Sequence, residues 1–169
     1  MQPGEFPDIW YITLAVTGGP NLLTRPRYAG ILSKHLNAAH EQQHIITRSH
    51  MLLPDQLLLL VQPFNTPLST WLQHFTINTA TEICEALRTD NQLQRQEWYS
   101  FFLCRNGQPA AAFWSSIEQL AVKGVSHYDE LEGAMLLAPV KAGYVRDVDH
   151  YAYTWYNNRS GIKYKQLGE

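Results

Sequence analysis

The stretch that decides the fold is HMLLPDQLLLLVQP at 50–63, together with the residues just before it. Ile45–Leu53 is rich in β-branched and large apolar residues and predicts a strand. Pro54-Asp55 predicts a turn or bulge, and Leu57–Gln62 predicts a second strand. Because apolar residues occupy both faces of this second strand, we expect it to lie at the centre of a sheet.

The residues before and after this stretch predict more strands and helices. Ile9–Val16 predicts a strand that ends before the Gly18-Gly19-Pro20 turn. A helix starting near Pro26 is indicated by apolar residues at helical spacing, namely Tyr28, Ile31, Leu32, His35, Leu36 and Ala39. Thr66-Pro67 predicts the start of another helix, which runs to about Leu87.

The second half of the chain predicts a hairpin and a last helix. Asn106-Gly107 lies between two apolar runs, so a β-hairpin is expected over 97–115. Ser126 starts a helix that Pro139 is expected to close. We therefore expect one domain, 1–169, of α+β class, with an antiparallel sheet and helices packed on it.

Composition sets limits on the function. The chain has 169 residues, 45% of them hydrophobic, and a formal net charge of -2, which argues against strong non-specific DNA binding. Cys84 and Cys104 do not form a disulfide scaffold, and the N-terminus has no signal-like pattern, so a cytoplasmic protein is expected. The apolar run at 57–61 is too short to span a bilayer, so no membrane partner is expected.

A second segment, GAMLLAPVKAGYV at 133–145, completes a resemblance to a known family. The segments at 50–63 and 133–145 resemble the active-site blocks of the REP-associated, IS200-like single-tyrosine transposases of the HUH nuclease superfamily. The residues that carry the likeness are Pro54, Pro139, Val140, Ala142 and Gly143, with weaker matches at 9–17, 113–114, 127–132 and 149–156. The resemblance implies a ferredoxin-like core.

The resemblance also implies that the positions needed for chemistry are lost. In the family, two histidines alternate along the first strand and bind a divalent metal, whereas this chain has Gln56 and Leu58 there. Ala134 occupies the place of the nucleophilic tyrosine, and Ala138 follows four residues later. Because these side chains supply neither a full ligand set nor a nucleophile, we expect an inactive homologue without a metal or other cofactor. Tyr128 and Tyr144 are better explained by packing than as relocated nucleophiles.

One segment indicates a different class of enzyme. His40-Glu41-Gln42-Gln43-His44 matches H-E-x-x-H, in which two histidines one helical turn apart bind zinc and the glutamate acts as a base. Glu82 or Glu85 could add a third ligand. The alternative is a solvated helix end, and we keep the zinc hydrolase as a remote hypothesis.

Two hypotheses remain for an inactive domain. The first is weak binding of hairpin or single-stranded DNA in a regulatory role, with bases stacking on Trp98, Tyr99 and Phe101. Its candidate contacts are the basic residues Arg25, Arg27, Arg95, Arg105, Lys141, Arg159, Lys163 and Lys165. The second is a protein-interaction or assembly module that binds no nucleic acid. A homodimer is expected in either case, and the sequence names neither a DNA target nor a protein partner.

Overall fold

The described part of the chain forms one antiparallel sheet of five strands. The computed structural model describes residues 6–106, 108–147, 151 and 154–156. The sheet order is β4-β1-β3-β2-β5. The strands are β1 (Trp10–Val16), β2 (Ile45–Leu52), β3 (Gln56–Pro63), β4 (Trp114–Ala121) and β5 (Thr154–Tyr156). The apolar strand β3 lies at the centre, as the sequence predicts.

Within the described ranges, five helices connect and cover the strands. They are α1 (Pro26–Glu41), α2 (Leu68–Arg88), α3 (Leu93–Asn106), α4 (Pro109–Phe113) and α5 (Val125–Lys141). The order from β1 to β4, with two strands between α1 and α2, is that of a ferredoxin-like core. The expected α+β class with an antiparallel sheet is confirmed.

Side-chain alternation gives each face of the sheet its own apolar cluster. Leu57, Leu59 and Val61 of β3 belong to the larger cluster, which also contains the buried residues of α1 and α2. Leu58 and Leu60 point the other way, into a smaller cluster with Met135 of α5. We call the first the helical face and the second the α5 face.

The hairpin expected over 97–115 is wrong, because this region forms α3, α4 and the start of β4. Trp98, Phe101 and Phe102 fall at i, i+3 and i+4, and they pack against the helical face as one side of α3. Asn106 is the last residue of α3 rather than part of a hairpin turn. An Asn-Gly pair is also common where helices end, and here helical periodicity overrides the hairpin signal.

The expectation that Pro139 closes the last helix is also wrong, since α5 continues to Lys141. A proline removes one backbone donor but leaves the later ones free to bond. The Ala142 amide donates to the Ala138 carbonyl at 2.9 Å, and the Tyr144 amide donates to the Pro139 carbonyl at 2.9 Å. Among the described residues, no helix is long and apolar enough to cross a membrane.

Candidate functional site

The α5 face brings the two segments of the resemblance together. Pairing places Thr13 of β1 and Met51 of β2 on either side of Leu58. Gln56 lies two residues before Leu58 and therefore points to the same face. Ala138 of α5 packs against the cluster that contains Leu58. Leu58 of the strand segment thus lies against the helix that carries Ala134 and Ala138.

The centre of this face is apolar. Leu58 is 6% exposed, and its neighbours Met51, Leu60 and Met135 are each 0% exposed. Leu58 offers no ligand atom, and Gln56 offers only a neutral amide at the half-buried start of β3. These residues do not fit a divalent metal ion. Nor do any three His, Cys, Asp or Glu side chains come together as a metal-binding group among the described residues.

The helix positions likewise carry no reactive group. Ala134 is exposed and Ala138 is half-buried, and neither has a hydroxyl or a ligand atom. Tyr128 lies on the same helix, and its hydroxyl donates to Glu132 Oε2 at 2.9 Å. Burial, opposed by the hydrogen bond to Ser49 and reinforced by Glu132, raises the pKa of Tyr128 to about 12. A tyrosine that holds its proton so firmly is a poor nucleophile near neutral pH.

A polar cluster beside the apolar centre holds α5 on the sheet, and the sequence alone did not reveal it. The buried Ser49 hydroxyl of β2 donates to Glu132 and lies 3.3 Å from the Tyr128 hydroxyl. We call Ser49, Tyr128 and Glu132 the α5 anchor. The i, i+4 spacing of Tyr128 and Glu132 in the sequence predicts that the two side chains meet on one face of a helix. The register shift between Thr47 and Ser49, which turns Ser49 toward α5, cannot be predicted from the sequence.

Two of the basic candidates meet at the junction of α1, α2 and α3. Arg27 Nη1 lies 3.8 Å from Asp90 Oδ2, and Arg27 Nη2 donates to Thr89 Oγ1 at 2.9 Å. A bond from the Gln92 amide, with help from Tyr28, Arg95 and Arg27, lowers the pKa of Asp90. Arg95 is only 8% exposed, so it has little access to a phosphate.

The other basic candidates are spread over the surface. Arg25 is exposed just before α1, and Lys141 is exposed in the last turn of α5. Arg105 is exposed and lies 4.6 Å from the centre of the Phe101 ring. Trp98 and Phe101 contact each other with ring centres 5.5 Å apart, as half-buried packing residues. Arg159, Lys163 and Lys165 lie outside the described residues.

The H-E-x-x-H segment does not form the helical pair that a zinc hydrolase needs. Helix α1 ends at Glu41, and Gln43 has φ 58, so His44 lies beyond the helix. His44 Nδ1 is 2.7 Å from Thr66 Oγ1, and its Nε2 is 3.0 Å from Gln42 Oε1. Glu82 contacts Lys34 and His35 instead. The helical premise of the zinc hypothesis is therefore wrong.

Comparison with solved structures identifies the class of fold as transposase-like. The chain is similar over 100% of its length to a REP-associated tyrosine transposase solved with a bound REP hairpin, of which it covers 92%. The TM-score is 0.61 and the identity is 12%, a level at which the likeness shows the fold alone. A transposase candidate from Deinococcus radiodurans R1 matches 79% of this chain and 93% of its own, with a TM-score of 0.47 and 13% identity. No family model and no curated protein matches the sequence.

Proposed function

We propose that this chain is a transposase-like protein without phosphoryl-transfer activity. The observation that carries the proposal is the packing of Leu58 with Met51 and Met135 in the middle of the α5 face. In the family resemblance this is the place of a metal ligand, whereas here the side chains are apolar and offer no oxygen or nitrogen ligand to a divalent metal ion. Transfer of a DNA phosphoryl group needs both charge stabilisation and a nucleophile, and Ala134 supplies no nucleophile.

A nicking assay tests the loss of activity. The protein is incubated with hairpin DNA carrying single-stranded flanks and with Mg²⁺ or Mn²⁺, and the products are separated on denaturing gels. We expect neither a nick nor a covalent protein–DNA adduct. An adduct would overturn the proposal, and the variants Tyr128→Phe and Tyr144→Phe would then identify the nucleophile.

Weak hairpin or single-stranded DNA binding, in a regulatory role, is the function we propose for the inactive domain. Its support is the fold shared with a transposase that was solved with a bound hairpin. The strands limit where DNA could bind, because β1, β3 and β4 contain no Lys or Arg and Glu118 is their only charged residue. Phosphate contacts would therefore fall outside these strands, on exposed cations such as Arg25, Arg27, Arg105 and Lys141. With so few contacts the binding is weak and falls only moderately with salt.

Fluorescence anisotropy with a labelled hairpin tests this function. If two of these cations contact phosphates, affinity falls about tenfold between 50 and 200 mM salt. Arg25→Gln combined with Arg105→Gln should weaken binding, whereas the control Arg88→Gln should not, because Arg88 is already bound to Glu85. Absence of binding at 50 mM salt would end the DNA hypothesis.

The alternative is an assembly module that binds no nucleic acid, and one observation favours it. Strand β4 is at the edge of the sheet, and seven of its eight residues are exposed. An open edge of this length is a surface that other chains can pair with. Self-association is therefore proposed as the second function.

A further inference from the structure

We draw no further inference here: the strongest candidate, the open groove between α1 and α2 beside Ile31, carries nothing, because its Arg27, Glu82 and Glu85 side chains already pair with neighbouring side chains of the same chain and nothing in the described structure shows what would cover it.

Discussion

The two faces of one sheet are covered in different ways. Helices α1 to α4 supply the helical face with a large cluster that includes Leu59, 0% exposed. On the other face a single helix, α5, covers Leu58 and a much smaller cluster, with the α5 anchor beside it. Leu58 and Leu59 are neighbours in the chain, yet they belong to two separate cores.

The difference indicates where substitutions should be better tolerated. The helical face holds the fold together, so its residues are constrained by packing from several elements. The α5 face has one covering helix, so changes at Gln56 and Leu58 should leave the main core intact. In this chain an apolar cluster occupies the place where the family resemblance implies chemistry.

The largest effect should come from shortening the two leucines. We expect Leu59→Ala to lower the free energy of unfolding by about 4 kcal/mol and Leu58→Ala by about 2 kcal/mol. The reason is that a single helix can move to fill part of a cavity, whereas four helices cannot. Urea unfolding of both variants measures the difference. Equal losses would mean that the two faces are equally rigid.

The second prediction concerns the stability of the protein at acid pH, which we expect to depend on a histidine on the helical face. His50 lies opposite Leu59 in β2, and burial lowers its pKa to about 3 from 6.5. Between these two pH values only the unfolded chain gains the proton. The contribution of His50 to the free energy of unfolding is therefore complete above pH 6.5 and is lost as pH falls toward 3. The expected slope is about 1.4 kcal/mol per pH unit. Unfolding experiments from pH 7 to pH 4 measure it.

His50→Gln should remove most of this acid dependence. The control His74→Gln changes an exposed histidine of α2 and should leave the slope unchanged. An acid slope that survives in His50→Gln would show that other groups cause it.

The sequence predicted the order of elements well where periodicity was unambiguous. The alternation of β1, the apolar run of β3 and the helical spacing of α1 all reflect one-sided or two-sided burial, which is a local property. Residues 97–115 misled the prediction because Asn-Gly is common both in hairpins and at helix ends. Trp98 and Phe102 pack on the core, and this packing favours the helix over a hairpin. The contact cannot be predicted from the pattern of a single sequence.

The candidate site was predictable only in part. That Gln56 and Leu58 share a face follows from strand geometry, and the structure places them on the face that α5 covers. Ser49 was not predictable, since the register shift after Thr47 changes the face to which β2 residues point. Arg27 lies 63 residues before Asp90 in the chain (90 − 27), and only the fold brings it near Asp90 and Arg95.

The third prediction removes the acceptor of the α5 anchor. Glu132→Ala leaves the fully buried Ser49 hydroxyl without its carboxylate partner, which should cost about 2 kcal/mol. The effect should be confined to the α5 face. Hydrogen exchange should therefore show faster opening in α5 and unchanged protection in α1 and α2. The control Glu130→Ala removes an exposed carboxylate of the same helix and should have little effect.

The smallest effect on stability is expected at alkaline pH, where ionisation of Tyr128 should destabilise the α5 face. Its pKa is raised to about 12 from 10.0, so the unfolded chain loses the proton first. The contribution of Tyr128 to the free energy of unfolding is complete below pH 10 and is lost as pH rises toward 12. Tyr128→Phe should cost about 1 kcal/mol at neutral pH and should reduce the alkaline loss. Tyr28 on the helical face also has a raised pKa, so part of the alkaline loss should remain in Tyr128→Phe. An unchanged alkaline slope would show that Tyr128 ionises without disturbing α5, and the α5 anchor would then rest on Ser49 and Glu132 alone.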